Sequence, residues 1–171
     1  MQRTPPPEHF VHKDDLRAVM VRDLRALARE VSLYPSDDAL WQTMPGIANS
    51  GGTLALHLAG NVQHFIGAVL GGSGYVRDRE AEFASRSLSR ATVVAEVERA
   101  IMALEKALDA MPHARMAEPF PIEMGGRRLV TSRMLTHLAV HLTYHLGQID
   151  YHRRMVAPES GVAGAVVVTE L

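Results

Sequence analysis

Residues 129–155 read LVTSRMLTHLAVHLTYHLGQIDYHRRM, a run that combines helical periodicity with regularly spaced histidines. Leu135, Leu138, Val140, Leu142, Leu146 and Ile149 recur mostly every three or four residues, the period of a helix that lays one face into a core. His137, His141 and His145 ride on the same helix at i, i+4 and i+8. Neighbouring imidazoles in such a series lie about 6 Å apart along the axis and about 40° apart around it. Two neutral imidazoles at i, i+4 can therefore aim ring nitrogens at one shared ion, which is why H-x-x-x-H recurs in zinc sites. A helix that supplies two ligands still needs a third from elsewhere.

The rest of the chain bounds what such an ion could meet. At 171 residues it is long enough for one domain with a sizeable core, spanning 1–171 with residues 1–8 as a tail. Apolar residues make up 47% and charged residues 22%, the balance of an ordinary globular protein. The formal net charge of -1, with no basic run, argues against nucleic acid as a partner. Cysteine is absent, so disulfides and thiolate ligands are excluded and any metal must be held by nitrogen and oxygen. The N-terminus MQRTPPPEHF has no apolar signal core and no run reaches membrane-spanning length. The expectation is a cytoplasmic protein with no membrane contact.

Working back from the opening stretch, three more segments carry helical periodicity. From His9 to Val31, the residues Phe10, Leu16, Val19, Met20, Leu24, Leu27, Ala28 and Val31 mark one face, preceded by the extended Pro5-Pro6-Pro7 tail. Residues 53–70, TLALHLAGNVQHFIGAVL, are apolar on nearly every side, the mark of a helix buried between neighbours, and Asn49 or Ser50 can cap it. The polar stripe His57, Asn61 and His64 within it needs hydrogen-bond partners or a polar pocket, since an unpaired buried polar group costs roughly 1–3 kcal/mol. A third segment, Ala91 to Met111, begins after the N-cap candidate Ser89 and stops at Pro112.

The connections are long. Residues 32–49 contain Pro35, Pro45 and Gly46 around Trp41, a loop expected to pack down on its tryptophan. Gly71-Gly72-Ser73-Gly74 fits neither the Walker nor the dinucleotide spacing and reads as a helix stop, followed by a link through Tyr75, Arg77, Arg79 and Phe83 to about Ser89. Residues 117–130 give a weak hairpin signal around Gly125-Gly126, opposed by Pro119 and Pro121, and so allow a short β-ribbon. The closing AVVVTEL suggests an edge strand. The fold class is all-α: a four-helix bundle in which the link between the second and third helices is long enough to run them parallel. Asn61 is a candidate to orient a ligand, and Arg77 and Arg79 to meet a substrate carboxylate.

The phrase His141-Leu-Thr-Tyr-His145-Leu-Gly-Gln148-Ile149, with Leu56-His57-Leu58-Ala59-Gly60-Asn61 on the second helix, resembles the DinB/YfiT-like superfamily of metal-binding four-helix bundles. The likeness extends over nearly the whole chain. It implies an up-down-down-up bundle and a divalent metal held by His57, His141 and His145, with His64 and His137 outside the ligand set. Three neutral nitrogens leave a coordination position open, as catalytic sites do, and the donor set suits zinc or nickel and accommodates iron. Relatives in that superfamily include low-molecular-weight-thiol transferases and a mycothiol-dependent maleylpyruvate isomerase. The resemblance thus implies a metal-dependent enzyme that activates a small thiol, as cofactor, for transfer to or isomerisation of an electrophilic small molecule. A non-catalytic metal-binding or stress-response protein is the alternative, because the same three ligands serve both. The all-round apolar second helix further suggests a homodimer.

Overall fold

The computed structural model describes residues 11–164 and 166–171; the expected tail at 1–8 and the start of the first helix at His9 and Phe10 lie outside them. Helix α1, Lys13–Ser32, opens with Asp14 and Asp15 in its first turn, where carboxylates favour the positive end of the helix dipole. Its Leu16, Met20, Leu24, Leu27 and Val31 are buried, as the periodicity requires. A short helix α2, Asp37–Trp41, sits inside the expected loop, capped by the Ser36 hydroxyl. Trp41 is buried and its indole N–H donates to the Leu88 carbonyl at 2.7 Å, which pins this loop to the one before the fifth helix.

Helix α3, Gly51–Val62, is capped by Ser50, whose hydroxyl accepts from the Thr53 amide, and all twelve of its residues are buried. After Val62 it widens into a π-helix, Gln63–Leu70, which the sequence pattern did not distinguish from ordinary helix. The i→i−5 spacing is seen where the Gly71 amide donates to the Ile66 carbonyl at 3.0 Å. Gly71 also has to be small, because a Cβ there would lie 2.6 Å from the Ala107 Cβ.

Helix α4, Arg79–Ala84, is nested in the following connection with Asp78 as its N-cap. Helix α5, Arg90–Ala110, starts from the expected cap Ser89, and helix α6, Thr131–Val156, runs 26 residues.

Side-chain bonds fix the helix directions. Lys13 at the start of α1 donates to the Leu108 and Met111 carbonyls at the end of α5, so these two run antiparallel. Thr143 bonds Asp23 at 2.5 Å and Arg153 pairs with Glu30, so α6 runs parallel to α1. Gly51 sits against His152 while Gln63 reaches Glu96, so α3 is antiparallel to α6 and parallel to α5. The bundle is therefore up-down-down-up, and the connection carrying α4 must travel back along the outside of α3.

Two expectations about extended structure are corrected. Residues 117–130 form only isolated bridges, Pro119 to Val130 and Met124 to Arg127, because the prolines remove donors that a ribbon would use. The C-terminal segment ends in a 3₁₀ turn, Val168–Glu170, instead of an edge strand. No sheet edge exists among the described residues for it to join. Arg29 holds the segment down, donating to the Ala163 carbonyl at 2.8 Å and pairing with Glu170 at 3.1 Å. Among the described residues no helix is long and apolar enough to cross a membrane.

Candidate metal centre

Antiparallel packing of α3 on α6 brings His57 across from His141 and His145. The Nε2 atoms of His57 and His141 are 3.4 Å apart, and one ring nitrogen from each of the three lies within 4.8 Å of the others. The ring centroids are 5.2 Å (His57 to His141), 5.6 Å (His57 to His145) and 4.6 Å (His141 to His145) apart, each pair near edge-on. Donors about 2.0–2.1 Å from a tetrahedral ion stand roughly 3.3 Å from one another. The His57–His141 separation matches that figure, so the three histidines could hold a metal ion.

The other ring nitrogens show why Nε2 faces inward. The Glu82 carboxylate lies 3.2 Å from Nδ1 of His57. Burial pushes the Glu82 carboxyl up, but hydrogen bonds from His57 and Arg77 outweigh it and hold the group below its ordinary value. Glu82 is thus an acceptor, Nδ1 carries the proton, and the Nε2 lone pair of His57 points into the cluster. Arg77 clamps Glu82 through two bonds of 2.7 Å, one from Nε and one from Nη2. Nη2 also lies 3.1 Å from Nδ1, but acceptors for its two N–H groups are present in the Glu82 carboxylate at 2.7 Å and the His57 carbonyl at 3.5 Å.

On α6, Nδ1 of His145 and Oε1 of Gln148 are 2.6 Å apart. An amide oxygen only accepts, so this bond again leaves Nε2 of His145 as the free lone pair. Histidines that ligate metals are oriented in this way by a carboxylate or amide on the second nitrogen.

His141 is the third ring of the cluster. Its Nδ1 is buried without a partner, while its Nε2 faces the lone pair of His57. Burial foremost, and then the neighbouring His145, His57, His137 and Arg77, lower its pKa to about 4, so the ring is neutral at pH 7. Two Nε2 atoms 3.4 Å apart are close enough to share either a proton on His141 or one cation.

Gly60 stands one turn from His57 because a Cβ there would overlap the Glu82 carboxylate. This accounts for the glycine in His57-Leu58-Ala59-Gly60-Asn61. Phe83, beside Glu82 on α4, packs its ring 5.0 Å from that of His57, and Arg79 lies over Phe83 at 4.8 Å. The exposed Tyr144 borders His145 at 5.1 Å.

The other candidate residues fall in different places. Arg77 spends its guanidinium on Glu82 and stands behind His57. Arg79 is exposed at the rim, and Asn61 is buried on α3 one turn beyond His57. His137 is exposed, with its ring 6.2 Å from that of His141, and His64 packs on Phe65 at 4.7 Å with Nδ1 unpartnered.

Sequence reasoning missed Glu82 and Gln148. Gln148 was readable, since i, i+3 on a helix puts it beside His145. Glu82 was not, because it follows His57 by 25 residues and meets it only through the path of the α4 connection.

Residues 11–161 match the family model described as Protein of unknown function (DUF1572). The chain belongs to the DUF1572 family. No curated protein and no solved structure matches it. In this DUF1572 chain the match begins just before α1 and ends after α6, so the bundle and the whole histidine cluster fall inside it.

Proposed function

We propose that this DUF1572 protein is a divalent-metal enzyme of DinB/YfiT-like type, with His57, His141 and His145 as ligands, acting on an electrophilic small molecule with the help of a low-molecular-weight thiol. The observation that supports it is the convergence of one ring nitrogen from each histidine, with Nδ1 of His57 and of His145 engaged by Glu82 and Gln148. The DinB-like character of the DUF1572 family is consistent with the same reading. A bound zinc, nickel or iron ion would act as a Lewis acid and acidify a thiol or water placed beside it.

What the chain itself does follows from its side chains. Three imidazoles supply three donors and leave room for a small molecule. The Arg77–Glu82 pair keeps His57 oriented and its proton on Nδ1. Phe83 and Tyr144 flank the cluster with aromatic surface, and the exposed Arg79 offers a cation to a substrate carboxylate. Asn61 is proposed to orient a ligand from α3. A homodimer is also proposed, on a changed basis: α3 is covered within its own chain, whereas Val140, Tyr144, Tyr151 and Met155 form an exposed apolar stripe along α6.

The test is a survey of thiol and electrophile pairs on zinc- or nickel-loaded protein, read by mass spectrometry. A thioether product that disappears in His57→Ala supports the enzyme. Full metal occupancy with no product from any pair favours the non-catalytic metal-binding alternative.

A further inference from the structure

A second convergence of ligating groups lies where α1 begins, apart from the three-histidine cluster. Nδ1 of His12 is 3.2 Å from Oδ2 of Asp14, and Nε2 of His113 is 3.8 Å from that same oxygen. The imidazoles lie against each other with centroids 4.4 Å apart, and all three donor atoms fall within 4.8 Å of one another. These separations bracket the roughly 3.3 Å expected between two donors on one tetrahedral ion. We propose that His12, Asp14 and His113 form a second divalent-metal site, on the surface, specific for borderline ions of the zinc class over magnesium or calcium.

The donor set gives the specificity: two imidazole nitrogens and one carboxylate suit zinc, nickel and copper, whereas magnesium and calcium prefer all-oxygen shells. The positioning is built into the fold. His12 is the N-cap residue of α1 and Asp14 lies in its first turn, while His113 opens the 3₁₀ turn that follows α5. Between them Lys13, buried, donates to the Leu108 and Met111 carbonyls at 2.7 and 2.8 Å, which locks the two segments together. That lysine charge is consumed by the carbonyl end of α5. Asp14 and Asp15 supply the negative charge facing solvent.

All three side chains are more than half exposed, so the site exchanges freely and binds more weakly than the buried cluster. An ion there would cross-link the start of α1 to the α5–α6 connection and stabilise the fold by mass action.

The experiment is a zinc titration of the full chain against a competing chelator, repeated on His113→Ala, Asp14→Asn and His57→Ala. The intact protein should take up a weaker equivalent that is lost in His113→Ala and in Asp14→Asn but kept in His57→Ala. Weaker uptake that is unchanged in both surface variants, or absent from the intact protein, would overturn the proposal. Failure of the buried cluster to bind would leave this comparison readable, because the surface variants retain that cluster intact.

Discussion

Helix α6 carries two kinds of buried or half-buried histidine, one bonded within the fold and one in the cluster that could hold a metal ion. His152, buried near the helix end, has both nitrogens satisfied within the chain. Nδ1 accepts from the Tyr34 hydroxyl at 2.7 Å and Nε2 donates to the Gln42 carbonyl at 2.9 Å. His141, three turns earlier, leaves Nδ1 orphaned and turns Nε2 toward another ring's lone pair. Both are pushed toward the neutral form chiefly by burial. Burial and a lowered pKa thus fail to tell the two apart; what differs is that His141 converges with His57 and His145 and His152 does not. His152 ties the loop after α1 and the end of α2 to α6, whereas His141 turns Nε2 into a cluster that could hold a metal ion.

The largest effect is expected from His57→Ala: zinc should raise the thermal midpoint of the intact protein by a linkage that reaches about 2.7 kcal/mol at one hundred times the Kd. Zinc held at a concentration too low to fill the surface site should not shift the variant's midpoint. A variant that responds as the intact protein does would remove His57 from the ligand set.

A smaller loss is expected one step out, at Glu82. Removing such a supporting carboxylate lowers metal affinity by about 10–100-fold. Glu82→Gln should fall in that range by competition titration, and Gly60→Ala should follow it, since its Cβ displaces the same carboxylate. Unchanged affinity in both would mean that the carboxylate does not orient His57.

At the other end of α6, His152→Leu leaves the Gln42 carbonyl without its partner and the Tyr34 hydroxyl with only the Ile149 carbonyl at 3.4 Å, a cost of about 1–3 kcal/mol in denaturant unfolding. The metal should bind as before. The pH dependence of metal-free protein carries the same signature: the unfolded chain protonates His152 at about 6.5, and the folded chain resists. Stability should therefore decline as pH falls below about 6.5 toward the lower folded-state pKa, with a shallower slope in His152→Leu. An identical slope would assign the decline to other groups.

Chelation should change least. Helices α1 and α5 bring aliphatic faces of their own to the core and contribute no ligand to the three-histidine cluster, so far-ultraviolet helicity at room temperature should persist while the thermal midpoint drops. Collapse of helicity would make the ion structural.

The legible part of this molecule was whatever repeats within one helix. The four long helices, the caps Ser50 and Ser89, the packed tryptophan and the pairing of His141 with His145 all follow from local period and side-chain chemistry. The third histidine entered through a family resemblance, because no spacing links position 57 to position 141. The π-helical widening after Val62 escaped notice, since QHFIGAVL is equally apolar under either period. From sequence Arg77 reads as a substrate contact, whereas the fold pairs it with Glu82. That use depends on the route of the α4 connection along α3, which is a property of the whole topology.

The most direct test is elemental analysis of protein loaded with zinc and passed through gel filtration to strip weak sites, comparing His141→Ala with His152→Ala. The intact chain and His152→Ala should each retain about one ion, and His141→Ala none. Full retention by His141→Ala, or loss from His152→Ala in a folded protein, would contradict the assignment of the metal to the three-histidine cluster.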